Sequence, residues 1–155
     1  MSAHSYVGIR TGNAIESILI NTGGYYNDIG VNLLKHWDSL SLVSGLVEQG
    51  KIRVLNTKLD ENIYFDYRDS SFTSSMEEII PLSKKNFISM IFIFDTDENK
   101  WFTFYWNEWG SETSYLYIPL SLAIEISTFA DENWCDMSEE DMCPIVDKML
   151  SQKLA

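Results

Sequence analysis

Histidine and cysteine are both scarce, two of each in 155 residues, and their scarcity excludes several chemistries at once. His4 and His36 have no second imidazole or thiol at metal-ligand spacing, so a zinc site is not expected. Cys135 and Cys143 are far below the density of a small secreted disulfide scaffold; they are expected as reduced thiols that pack as small hydrophobes. No nucleophile elbow is present, and two histidines leave general acid and base roles thinly stocked. The expectation is a non-enzyme with no cofactor and no metal. A glycosidase-like carboxylate pair stays open, because its separation is set by the fold and not by chain spacing.

Long apolar runs are missing too. Nothing approaches the roughly 18 apolar residues needed to span a bilayer, and the opening stretch from Met1 to Asn13 has no basic segment followed by an apolar one. No membrane association is expected, and the cytoplasm is the expected compartment. Positive charge is the third deficit, with 11 Lys and Arg against 23 Asp and Glu and a formal charge of -12. Such a chain repels phosphate backbones, so direct nucleic-acid binding is not expected. The imbalance is uneven, because residues 101–155 hold ten acids against Lys148 and Lys153 alone.

Apolar and aromatic material is abundant: 45% of residues are hydrophobic, with five Trp, eight Tyr and eight Phe. This excludes a disordered chain, and the length suits one domain over residues 1–155. Ser5 to Arg10 and Ala14 to Ile20 are β-rich runs around Thr11-Gly12-Asn13, a hairpin signature. Asp28 to Trp37 carries Ile29, Leu33, Leu34 and Trp37 at helical spacing. A second helix follows from a cap at Asp38 or Ser39, with Leu42, Val43, Leu46 and Val47 as its face and Gly50 as its stop. Lys51 to Leu55 and Ile63 to Tyr67 are strand candidates, and Ser75 to Glu78 is a possible helical turn ended by Pro81.

The clearest local signal is Phe87 to Phe94, the polar run Asp95 to Asn99, and Lys100 to Trp106, read as two central strands and a hairpin. Asp95 to Asn99 begins like a calcium loop, but Lys100 and Trp106 stand where glycine and glutamate are needed, so a solvated turn is expected. Gly23-Gly24 likewise reads as a tight turn, because Asp28 would repel an anion there. Phe102, Phe104 and Trp106 alternate with Trp101, Thr103 and Tyr105. The pair is therefore covered on both sides, the first expectation, or offers one aromatic face to a partner. Tyr115 to Ile118 is a further strand, Pro119 to Phe129 a helix, and Ser138 to Leu154 a C-terminal helix with Met142, Ile145, Val146, Met149 and Leu150 on one stripe. The predicted class is α+β, a mostly antiparallel sheet of about 5–6 strands with helices packed on it and a C-terminal helix. Residues 1–106 form the core, and 107–155 are expected as an acidic helical extension.

Glu108, Glu112, Asp131, Glu132, Asp136, Glu139, Glu140 and Asp147 recur through that extension and suggest a negative surface for a partner. Acids at the start of a helix also complement its dipole, so part of this run has a structural reason. Trp106, Trp109 and Trp134 are the alternative anchors, with the acids serving only solubility.

Asn21 to Trp37, containing Gly24-Tyr25, Gly30 and Leu33-Leu34, resembles the H-W-D-G-Y-P-x-x-x-G-x-x-L-L-x-x-Y signature of a group of small uncharacterised phage and mobile-element proteins. Leu46 to Ile52, Asp66-Tyr67-Arg68-Asp69 and the Ile91 to Trp101 hairpin follow in the same order, so the likeness spans about residues 5–106. Asn21-Thr22-Gly23 replaces the family's His-Trp-Asp, and Tyr26 replaces its Pro. The resemblance implies a phage accessory protein acting in the cytoplasm of an infected cell. Gly24, Tyr25, Gly30 and Arg68 are the shared positions, structural first, with Arg68 expected either in an internal ion pair or pointing into a cleft. Joined to the charge, this gives three expectations. The first is an inhibitor of a host defence or nucleic-acid-processing protein that mimics DNA, possible also as a homodimer. The second is a host-protein binder working through exposed aromatics. The third is a nucleotide binder or enzyme using a cleft near Gly24, Tyr25 and Arg68.

Overall fold

A computed structural model of the chain describes residues 4–21, 25–64 and 70–154. The β1 (Ser5–Thr11) and β2 (Ala14–Ile20) strands pair antiparallel around Gly12, whose φ of 61° the lack of a side chain makes easy. A π-helical turn (Tyr26–Gly30) leads into α1 (Val31–His36), and α2 (Leu40–Glu48) follows, with the Ser39 hydroxyl accepting the Leu42 N–H at 3.3 Å. Then come β3 (Ile52–Val54), a 3-10 turn (Leu59–Glu61), β4 (Ile63–Tyr64), β5 (Phe72–Ser75) and α3 (Ile79–Lys85). The chain continues through β6 (Met90–Asp95), β7 (Lys100–Trp106), β8 (Tyr115–Pro119), α4 (Leu120–Asn133) and α5 (Glu139–Leu154).

The fold is α+β, as expected, but the sheet is mixed and among the described residues has eight strands, in the order β4-β3-β2-β1-β6-β7-β8 with β5 also on β2. This corrects the mostly antiparallel sheet of about 5–6 strands. The β1–β6 and β2–β3 pairs run parallel; each joins segments separated by helices, whereas the legible hairpins join neighbours. The outer edge of β2 is shared: Ile20 meets Ile52 of β3, and Ala14 to Ser17 meet β5.

Alternation along the strands sends two sets of side chains to opposite faces. Val7, Ile18, Phe92, Phe94, Trp101, Tyr105 and Ile118 join Leu33, Val43, Leu46, Ile126 and Val146 in the main core, under α1, α2, α4 and α5. Tyr6, Ile15, Ile91 and Ile93 form the smaller core on the other side, beneath Ile79 of α3. Residues beyond 106 thus supply a strand and part of the main core, through Ile118, Leu120, Ile126 and Val146.

Several local expectations change. Leu42 is exposed, so the buried face of α2 is the narrower Val43, Leu46 and Val47. Pro81 does not end a turn but sits third in α3, where its missing N–H would lack an intrahelical acceptor anyway. Phe72 to Ser75 is strand β5, a polar run that owes its conformation to β2. Cys143 is half-buried and Cys135 exposed, so the latter is not packed as a small hydrophobe; both are free thiols. Among the described residues no helix is long and apolar enough to cross a membrane.

Candidate functional site

The site is built around the end of β7. Asn107, buried, follows Trp106 and holds the next loop: its Nδ2 donates to the Glu112 carbonyl at 2.8 Å and its Oδ1 accepts the Gly110 N–H at 3.1 Å. Its own N–H donates to the Ser114 carbonyl at 2.9 Å. The loop packs so closely on this side chain that a Cβ on Gly110 would lie 2.6 Å from Asn107 Oδ1, closer than such atoms approach. Glu108 and Trp109 are thereby fixed in position, although the chain here has no regular structure.

Between this loop, the π-helical turn, the start of β6 and the end of α4 lies a cavity of about 580 Å³. That is within the roughly 300–1,000 Å³ range of small-ligand sites. Tyr25, Tyr105, Trp106, Trp109 and Tyr115 wall it, and Glu108 and Asp131 stand at its rim. Trp106 is 45% exposed and its ring lies 4.9 Å from that of Tyr115, the next strand over. The π-helical turn presents Tyr25, 55% exposed, while Tyr26 points inward against Phe92 and Tyr105. No Lys or Arg is among the described residues that line the cavity.

Burial pushes the Tyr105 hydroxyl well above the ordinary tyrosine range, and the nearby Tyr26 and Glu108 add to the shift. Tyr26 is pushed up to about 12, chiefly by burial, and Tyr117 is raised by burial and by its bond to Asp95. An unfolded tyrosine ionises near about 10, so above that pH the unfolded chain loses protons that the folded chain keeps. Stability is therefore fully present below about pH 10 and is lost as the pH rises through about 12, by about 2 kcal/mol from Tyr26 alone. Urea midpoints between pH 9 and 12, read beside tyrosinate absorbance, check this; a Tyr26→Phe variant with the same alkaline slope as the parent would refute it.

The acids singled out in the sequence fall on connected elements. Glu108 and Glu112 are exposed on the 107–114 loop, Asp131 and Glu132 on the last turn of α4, Asp136 on the turn after it, and Glu139 and Glu140 in the first turn of α5. Asp147 differs from the rest. Half-buried on α5, it accepts the Ser111 N–H at 3.0 Å, which holds its carboxyl below the usual range and ties the loop to the helix. The ion pair of Arg10 with Asp95, at 3.2 Å, involves none of these acids.

Of the three tryptophans, Trp106 and Trp109 reach the cavity, Trp109 also packing on the main core, whereas Trp134 is exposed at the end of α4 and does not line it. Tyr25 lies in the cavity wall. Gly30 is buried against α4, but an added Cβ would meet Leu120 and Ile124 at 3.5 Å, ordinary contact, so the close approach does not demand glycine. Gly24 and Arg68 lie outside the described residues. Sequence reasoning missed Tyr105 and Tyr115 as wall residues and Asn107 as the pin of the loop. An asparagine just after an aromatic strand was the one available signal. Among the described residues no group of three His, Cys, Asp or Glu side chains is placed to hold a metal ion.

The chain matches no protein-family model, no curated protein and no solved structure.

Proposed function

We propose that this chain is a non-enzymatic binding protein that docks its acidic, aromatic end against a basic surface of another protein. The observation that supports the reading is that Glu108 and Asp131, from a loop and a helix far along the chain, line one cavity together with Trp106 and Trp109. Exposed aromatic rings supply the apolar contact area on which protein interfaces depend most, and charge around them sets partner choice and encounter rate. In keeping with the resemblance to phage accessory proteins, the partner class we propose is a host defence or nucleic-acid-processing protein, whose basic surface normally meets phosphate.

A second reading, DNA mimicry, has its own support in Glu132, Asp136, Glu139 and Glu140, which follow one another from the end of α4 to the start of α5, all exposed and none lining the cavity. Duplex DNA carries about one charge per 1.7 Å, so mimicry requires this outer row and not the cavity alone. Capture of basic proteins on the immobilised chain, washed at about 50 mM and about 200 mM salt with and without duplex DNA, separates the readings. Docking predicts capture that falls when Trp106 is changed to alanine. Mimicry predicts capture that DNA displaces and that Glu132→Gln, Asp136→Asn, Glu139→Gln and Glu140→Gln together abolish. Equal capture by all these variants would remove both. The nucleotide-cleft alternative keeps only Tyr25 among the described residues, and a thermal shift with nucleotides is its test.

A further inference from the structure

Aromatic rings on the outer side of β7 and β8 already carry cations of the chain itself. Arg10 lies 5.2 Å from the ring centre of Tyr117, Lys100 5.4 Å from that of Phe102, and Lys84 5.3 Å from that of Tyr115. Such contacts arise because the face of an aromatic ring is electron-rich. The cavity shares Tyr115 with them, Lys84 lying over that ring without lining the cavity, and it adds the ring surfaces of Tyr25, Tyr105, Trp106 and Trp109 and the charge of Glu108 and Asp131, with no described base among its lining residues. Neither carboxylate takes part in an ion pair among the described residues.

Resting on the docking reading above, we infer that this cavity receives an arginine side chain of the partner polypeptide. A guanidinium is planar, weakly hydrated and able to stack on an indole while it donates to carboxylates on either side. A lysine ammonium, a compact and strongly hydrated charge, gains less from flat walls and would give up more hydration on entry. Glu108 and Asp131 line the cavity from two separate elements, which suits the several donors of one guanidinium better than a single point charge. The size of the cavity, about 580 Å³, leaves room for the residues flanking that arginine as well.

The test uses the full chain and three capped tripeptides, Gly-Arg-Gly, Gly-Lys-Gly and Gly-citrulline-Gly, with tetramethylammonium as a free cation. The indole N–H signals in NMR are the readout. The arginine peptide is expected to shift Trp106 and Trp109 but not Trp134, and citrulline, its neutral isostere, to leave all three in place. Glu108→Gln with Asp131→Asn is expected to weaken arginine binding at least about ten-fold. Both side chains are exposed, so an unchanged melting temperature would show that the fold is intact. Equal binding of lysine, or binding of citrulline, would overturn the guanidinium assignment. Tighter binding of tetramethylammonium would overturn the polypeptide source. If salt-sensitive capture persists while the arginine peptide fails, this inference falls and docking stands; if capture also fails, docking falls with it.

Discussion

Replacing Trp101 with alanine is expected to remove most of the stability of the domain. The side chain is 2% exposed, packs edge-on against Phe94 at 5.5 Å between ring centres, and donates its indole N–H to the Trp37 carbonyl at 2.7 Å. Loss of so large a buried ring costs about 3–5 kcal/mol. The Trp37 carbonyl, at the end of α1, would in addition lose its donor in a dry setting, an effect of about 1–3 kcal/mol that overlaps with the first. Against the roughly 5–15 kcal/mol that holds a typical domain together, the sum threatens cooperative folding. Urea denaturation followed by circular dichroism measures it. Trp101→Phe, which keeps most of the area and loses the N–H, should fall between the two; an alanine variant with the parent's midpoint would show that the helix end and the sheet are not coupled through this residue.

The second large effect is expected at Asp95, where β1, β6 and β8 are joined. This carboxylate is 3% exposed. Its Oδ2 accepts from Tyr117 at 2.7 Å and from Arg10 at 3.2 Å, while its Oδ1 accepts the Asp97 and Glu98 N–H groups at 2.9 and 3.2 Å. One side chain thus holds three strands and shapes the hairpin between β6 and β7. Asp95→Ala leaves the hydroxyl of the half-buried Tyr117 and two turn amides without this acceptor. Arg10 is partly open to water and can rehydrate, so the cost belongs at the low end of a broken buried pair, about 3 kcal/mol. Asp95→Asn keeps an acceptor for the turn and should cost roughly half as much. A double-mutant cycle with Tyr117→Phe is expected to give a coupling of about 1–2 kcal/mol; strict additivity would mean that the short contact contributes nothing.

What the sequence displayed, and what it hid, follow from the range of the forces involved. The hairpins around Gly12 and Asp95 to Asn99, the Ser39 cap and, apart from the exposed Ile145, the stripe of the last helix with Met142, Val146 and Leu150 buried were legible because each is set by residues near one another in the chain. Asn99 even adopts the positive φ of 53° that asparagine tolerates in such a turn. The parallel pairing of β1 with β6 was not legible, since nothing local distinguishes that partner from another apolar strand. For the same reason β5 was missed: Phe72-Thr73-Ser74-Ser75 has weak strand character and is completed by the open edge of β2. At the candidate site, Trp106, Trp109, Glu108 and Asp131 could be named from composition and charge. Their convergence could not, because it depends on α4 returning across β7 and on Asn107 folding the loop between them.

Phe87 is the opposite case, a residue that no local rule would place where it is. It is 88% exposed and held at a φ of 57° just past the end of α3, where glycine or asparagine would fit without strain.

The central β1 strand lies between β2 and β6, with Ser5 beside Met90. During synthesis β1 must therefore wait for some eighty further residues before its second neighbour exists. Until then the β1–β2 hairpin exposes an unsatisfied edge and half of two cores, a state open to capture by chaperones or by another nascent copy. Folding of this chain should be slow for its size and should complete only after β6 has been made.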